Sequence, residues 1–331
     1  MTESQAGIEQ EVQRFASDVE RIADQVAQRV VGNREVVRLC LTALLARGHV
    51  LLEGVPGLGK TLLARTVAEA LNLSFARVQF TPDLMPADIT GTTMLFDGNA
   101  GRALTFVPGP VFTNILLADE INRGTPKTQS ALLEAMQEGA VTVGRERHVI
   151  EAPFIVVATQ NPIEMHGTYP LPEAELDRFL FKVSLPSPSA DELHRILDLT
   201  TQTAATVALS ALPRERVLAM QELVWQVPLA PSVKDFAVRL VQATHPERSH
   251  MAAVKQHVRY GVSPRGAQAL VLGAKVKALC EGRATPSFVD VRAMLRPAFA
   301  HRLLLSFAGE AEGATVEGLL AQIEQQTPER V

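Results

Sequence analysis

The stretch Gly54-Val55-Pro56-Gly57-Leu58-Gly59-Lys60-Thr61 has the spacing G-x-x-x-x-G-K-[ST]. A triphosphate needs many donors at short range, and glycines let backbone N–H groups approach it without side chains in the way. Lys60 adds a point charge at the β- and γ-phosphates, and Thr61 offers a hydroxyl to Mg²⁺. Further on, the apolar run Asn114-Ile115-Leu116-Leu117-Ala118 ends in Asp119-Glu120. One carboxylate can hold Mg²⁺, directly or through water, while its neighbour polarises an attacking water. A second apolar run, Phe154-Ile155-Val156-Val157-Ala158, ends at Thr159-Gln160-Asn161-Pro162. Asn161 there can orient that water and sense the γ-phosphate, although an Asn-Pro pair can also simply start a turn. Arg178 and Arg265 are candidate cations for the transition-state charge, a role worth about 10³ to 10⁵ in rate, or else members of structural ion pairs.

These residues must be positioned by regular elements. His49 to Glu53 reads as a buried strand and Thr61 to Leu71 as a helix, whose N-terminus then faces the anion. Ser74 to Phe80 and Phe181 to Leu185 read as further strands. Short apolar strands alternating with helices predict an α/β fold, a parallel sheet covered by helices on both faces. Such sheets bind ligands at the carboxyl ends of their strands, where Gly54 to Thr61, Asp119-Glu120 and Asn161 all fall.

The rest of the chain reads as follows. Ile8, Val12, Phe15, Val19, Ile22 and Val26 form one stripe on a long helix, either packed on its own chain or in a coiled coil. A second helix runs through Val37, Cys40, Leu41, Leu44 and Leu45. Residues 81–91 hold too much proline and turn chemistry for a regular element. Met94-Leu95-Phe96 and Ala103 to Phe106 read as a hairpin with Asp97-Gly98 in its loop. A helix from Pro126 to Gln137 is followed by a second hairpin, Val141 to Ile150. Pro186-Ser187-Pro188-Ser189 reads as a hinge between an α/β domain, residues 1–186, and a helical domain, residues 187–331. Within the latter, 245–259 is polar and reads as a mobile loop whose histidines fit no metal-ligand spacing well. Ser263 and Pro264 are suited to the N-cap and first turn of a helix. Further helices are expected over 288–304 and 316–323.

The chain has 331 residues, 47% hydrophobic and 21% charged, which gives ample core for a globular protein. A net charge of −4, one Trp and two Tyr argue against nucleic acid as a partner. Two distant cysteines without a C-x-x-C partner, a polar N-terminus unlike a signal peptide and no apolar run of membrane length fit a cytoplasmic protein.

Together, Gly54 to Thr61, Ile115 to Arg123, Ala158 to Pro162, Gly167 to Ala174, Leu176 to Phe179 and Ser263-Pro264-Arg265 resemble the MoxR-type AAA+ ATPases, in the family's order, over about Val30 to Arg302. The resemblance implies ATP/ADP and Mg²⁺ as ligands, bound at Gly54, Pro56, Gly57, Leu58, Gly59, Lys60, Thr61 and Leu62. Val31 and Gly32 would lie near adenine; the family usually carries Gln where this chain has Asn33. Thr61 and Asp119 would hold the metal. Glu120, Asn161, Arg178 and Arg265 would be catalytic. Arg178 would reach the nucleotide of a neighbouring subunit, and Arg265 that of its own subunit from the lid. Both hairpins would face the pore or substrate side of a ring. The resemblance further implies a hexameric ring, chaperone-like remodelling or maturation of a protein client, and a partner with a von Willebrand factor A domain. The alternative is a nucleic-acid-translocating motor, for which Arg145, Arg147 and His148 are the local support. A nucleotide-gated scaffold is the third reading, opposed by the intact Lys60, Glu120 and Arg178.

Overall fold

The computed structural model describes residues 3–98, 101–162, 167–201 and 209–329. The chain enters through two helices, α1 (Glu3–Ala27) and α2 (Arg34–Leu45), and then β1 (Val50–Glu53), α3 (Lys60–Ala70) and β2 (Phe75–Gln79). A short α4 (Pro86–Thr90) leads into the hairpin β3 (Gly91–Gly98) and β4 (Gly101–Pro108). Next come β5 (Ile115–Asp119), α5 (Pro126–Glu138), a second hairpin of β6 (Ala140–Val143) and β7 (Glu146–Val149), and β8 (Ile155–Gln160). The one-turn α6 (Glu173–Leu176) precedes β9 (Phe181–Ser184). Beyond Pro186 the elements are α7 (Ala190–Thr201), α8 (Arg214–Gln226), α9 (Pro231–Ala243), α10 (Ala252–His257), β10 (Val258–Tyr260), α11 (Pro264–Cys280), α12 (Phe288–Phe299), β11 (Leu304–Leu305), α13 (Phe307–Ala311) and α14 (Val316–Gln326).

Five strands form one parallel sheet in the order β2-β5-β8-β1-β9. Side chains alternate between its faces with a period of two. Val50, Leu52, Ile115, Leu117, Ile155 and Val157 join a core with α1, α2, α3 and the C-terminal helices. Leu51, Leu116, Ala118, Val156 and Ala158 join a second core with α5 and the hairpins. Both faces are covered, which is why these strands read as continuous apolar runs. The α1 stripe is buried from Val12 to Val26, against this chain's own α2, α3 and α11, while Ile8 is half exposed.

Several expectations need correction. Residues 81–91 contain α4, with Pro86 in its first turn and Met85 N donating to Asp88 Oδ2 at 2.8 Å. The first hairpin is longer than the two runs read from the sequence: Asp97 and Gly98 are strand residues opposite Arg102 and Gly101, and residues 99–100 lie outside the described residues. Residues 245–259 are not a loop throughout; they supply α10 and β10, and β10 pairs antiparallel with β11. Gln256 and His257 both reach the Glu312 carboxylate at 3.0 Å. The predicted helix over 288–304 stops at Phe299, and His301 and Arg302 turn inward instead. Ser263 does cap α11, accepting from Gly266 N at 3.4 Å.

Candidate functional site

The phosphate loop leaves β1 at Gly54, whose N–H donates to Gln160 O at 3.2 Å. Gly57 and Gly59 have φ of +87° and +77°, a left-handed backbone that side chains disfavour. A Cβ at either would meet nothing within 4 Å, so the space above the loop is open. Gly54 packs against Leu185 and Leu58, which seats the loop on the end of β9. Lys60 and Thr61 then open α3, with backbone N–H groups directed at the same space.

Sheet register brings the acidic pair alongside. Gln79 lies opposite Asp119, and Glu53 opposite both Gln160 and Ser184. Pro56, Gly57, Gly59, Lys60, Thr61, Leu62, Asp119, Glu120 and Asn161 accordingly line one cavity of about 440 Å³, together with Arg77 and Gln79. Lys60 Nζ donates to Gly54 O. Burial pushes the pKa of its ammonium down, and the charges of Asp119, Glu120 and Glu53 oppose that shift.

Thr159, fully buried, donates to Asp119 Oδ1 at 2.6 Å and accepts from Glu120 N at 2.8 Å. Glu120 has a φ of +54°, a strained backbone for a non-glycine residue. Its Oε2 accepts from Gln79 Nε2 at 2.8 Å and Arg123 Nη1 at 3.0 Å. Asp119 Oδ2 accepts from Arg77 Nη2 at 2.6 Å and Nε at 3.1 Å. Arg77, Gln79, Thr159 and Arg123 were not expected from the sequence. The available signal was weak: Arg77 and Gln79 are polar residues two apart at the end of a strand, which places them on one face.

Four expected residues lie elsewhere. Val31 borders a separate recess of about 470 Å³ with Lys182, Ser184, Pro186 and Glu192. Gly32 has a φ of +71°, which favours glycine, and the atom that a Cβ there would meet, Glu192 Oε1 at 2.5 Å, is the end of a flexible side chain that can move aside. Arg178 and Arg265 line a third recess, of about 320 Å³, with Asp177, Arg302 and Trp225. This recess shares no lining residue with the phosphate cavity. The topology explains the separation. Arg178 precedes β9, at the amino ends of the parallel strands, while the phosphate loop follows β1 at their carboxyl ends. Four residues of extended chain, about 13 Å, lie between the two ends. Ser263 Oγ donates to Asp177 Oδ1 at 2.7 Å, which keeps Arg265 at the same end as Arg178. This differs from the expectation that Arg265 reaches the nucleotide of its own subunit.

The donor set fits a nucleoside triphosphate with a hard divalent cation: open glycine backbone, one ammonium, one hydroxyl and a pair of carboxylates. Among the described residues no helix is long and apolar enough to cross a membrane, and no three His, Cys, Asp or Glu side chains gather as a metal site.

Residues 49–181 match the "ATPase family associated with various cellular activities (AAA)", and residues 250–323 match an AAA lid domain. The uncharacterized protein YeaC of Bacillus subtilis is 42% identical over 92% of this chain and 92% of its own. Chaperone MoxR1 of Mycobacterium tuberculosis is 41% identical over 93% of this chain and 81% of its own. The crystal structure of a Cytophaga hutchinsonii protein described as an ATPase superposes with a TM-score of 0.92, at 34% identity, over 99% of both chains. The matched ATPase region contains the phosphate loop, the acidic pair and Asn161, the lid match contains Arg265, and the relatives align over nearly the whole chain: this protein belongs to the MoxR family of AAA+ ATPases.

Proposed function

We propose that the chain hydrolyses Mg-ATP at sites shared by neighbouring subunits of a ring, and that this turnover drives chaperone-like remodelling of a protein client. The observation that carries the reading is the division of the machinery. Lys60, Thr61, Asp119, Glu120 and Asn161 share one cavity, while Arg178 and Arg265 share a recess at the other end of the sheet. A subunit so built offers a nucleotide grip on one face and two guanidinium groups on another. In this reading Lys60 and the loop backbone hold the phosphates. Glu120, held by Gln79 and Arg123, is the group that takes a proton from the attacking water once released from them. Asn161 orients that water. Arg178 and Arg265 of a neighbour neutralise the developing charge. Thr61 and Asp119 would hold Mg²⁺, which supplies charge neutralisation at the β- and γ-phosphates when bound. Val31 and Gly32 flank the adenine side, next to the hinge.

The proposed domain split falls at residues 186 and 187, so the hinge joins the α/β part to the lid. A chaperone relative supports a protein client, and a von Willebrand factor A domain protein is the proposed partner. The nucleic-acid reading gains nothing from the second hairpin. His148 stacks on Phe106 with ring centroids 3.7 Å apart, and Arg147 donates to Glu138 O at 3.4 Å.

The experiment uses three variants. Glu120→Gln should bind ATP with wild-type affinity and lose turnover by about 100-fold or more; undiminished turnover removes Glu120 from the mechanism. Lys60→Ala and Arg178→Ala should each be inactive alone. Mixed, they should regain activity, because some sites then combine an intact loop with an intact arginine. Inactivity in mixed assemblies verified by native mass spectrometry would overturn the shared site.

A further inference from the structure

Arg302 follows α12 and its side chain is only 3% exposed. All five of its N–H groups are used. Nε donates to Asp177 Oδ1 at 2.7 Å. Nη2 donates to Asp177 O at 2.8 Å and to Phe179 O at 2.6 Å. Nη1 donates to Leu180 O at 3.1 Å and to Ala298 O in α12. Its neighbour His301 adds another bond, with Nε2 3.1 Å from Phe179 O. A carbonyl only accepts, so this imidazole carries its proton on Nε2. Burial, followed by the charge of Arg302, holds its pKa well below the ordinary range, and the ring stays neutral.

These bonds bracket one residue. Arg302 takes the backbone carbonyls of Asp177, Phe179 and Leu180, the residues on either side of Arg178. Arg178 itself borders the open recess, with its Nε buried and without a hydrogen-bond partner. A five-donor planar fork fixes the direction of several carbonyls at once, and a lysine ammonium, a point charge with three donors, does not.

We propose that Arg302 is a positioning residue for Arg178: it fixes the turn that carries this arginine to the lid of the same subunit, and so controls hydrolysis at the neighbouring subunit's nucleotide. This rests on the shared-site reading above. The buried Asp177–Arg302 pair is then more than a stabilising contact. Asp177 also accepts from Ser263 at the start of α11, so lid and arginine turn move as one body. Lid displacement in one subunit therefore changes the arginine delivered to the next.

The test is Arg302→Lys, which keeps charge and approximate volume. It should bind ADP and ATP with affinities within about twofold of wild type and an unchanged KM, while kcat falls by about tenfold or more. Mixed one to one with Lys60→Ala, it should regain turnover, up to about a quarter of wild type, because one interface in four pairs its intact loop with an intact arginine turn. Mixed with Arg178→Ala it should regain none, since every interface then lacks a working arginine. If Arg302→Lys does not fold, as judged by loss of ADP binding, Asp177→Asn breaks the same charge pair and carries the same predictions. Full kcat in the variant overturns the proposal, as does absence of rescue by Lys60→Ala where Arg178→Ala is rescued. If Arg178→Ala is itself not rescued in verified mixed assemblies, the shared site has failed, and this inference fails with it.

Discussion

Thr159 fixes two residues with one hydroxyl: it donates to the Asp119 carboxylate and accepts from the Glu120 backbone. With the Thr159 bond holding the start of that turn, Glu120 keeps its left-handed backbone, and its carboxylate faces the phosphate cavity beside Gln79. The buried His49 shows similar economy at the other end of β1. Its Nε2 donates to Met136 O at 3.0 Å and its Nδ1 accepts from Val156 N at 2.9 Å. Burial lowers its pKa from 6.5 to about 4. The unfolded chain therefore takes up this proton first, so stability is intact above about pH 6.5 and falls as the pH drops toward 4. The loss is on the order of 3 kcal/mol. Comparing unfolding free energies of the wild-type chain and His49→Asn across that window reads it, and identical pH slopes would count against it. At this scale the sequence was informative where chemistry demands a spacing: Lys60 and Thr61 follow their glycines, and Asp119-Glu120 ends an apolar run. It was silent on Arg77, Gln79 and Arg302, because their roles arise from strand register and from a chain reversal far away, neither of which leaves a local pattern.

The two hairpins differ in how they are anchored. At the base of the first, Gly91 and Gly109 are in close contact: a Cβ on Gly109 would lie 2.3 Å from Ile89 O and 2.4 Å from Gly91 N. Both neighbours are backbone and cannot give way. Gly109→Ala should therefore destabilise the fold by about 2 to 4 kcal/mol, read as a lowered denaturant midpoint at unchanged slope. Toward its tip the same hairpin exposes Met94, Leu95, Phe96 and Leu104, while Phe106 packs on Phe112 and on His148 of the second hairpin. Apolar runs flanking an Asp-Gly pair made the first hairpin legible, but its docking on the second was not, since that depends on a ring stack between distant segments. The same applies to β10 and β11: strands of three and two residues carry too short a pattern to read, and only their pairing defines them.

The whole molecule is organised around a sheet with two cores. The core on one face is continuous from α1 through the strands to the C-terminal helices. Arg216 on α8 ties α1 into it, donating to Glu11 at 2.6 Å and Asp18 at 2.8 Å, with Arg216 and Asp18 both nearly buried. Burial lowers the pKa of this guanidinium and the two carboxylates raise it, with a net rise. Arg216→Ala removes a guanidinium from the nearly buried Asp18 and leaves it Arg21 at 3.2 Å, at a cost of about 1 to 3 kcal/mol. The measurement is a thermal melt, with earlier proteolysis within α1 as the accompanying sign; an unchanged melt would show that α1 is held by its apolar stripe alone. The parallel sheet and helical C-terminal part were predictable from periodicity, but the attachment of α1 to the far helices was not.

If the site is shared between chains, the separation of phosphate loop and arginine turn by the length of a strand also determines how many sites a given number of chains can form. Under the shared-site reading each chain has a giving face and a receiving face, and the two are different surfaces. Two copies related by a twofold axis would pair like with like and complete nothing. Under the shared-site reading, an open row of chains always has one fewer working site than it has members, because the last loop receives no arginine. Only closure supplies the missing neighbour, so activity per chain rises with assembly size and reaches its ceiling when the row closes.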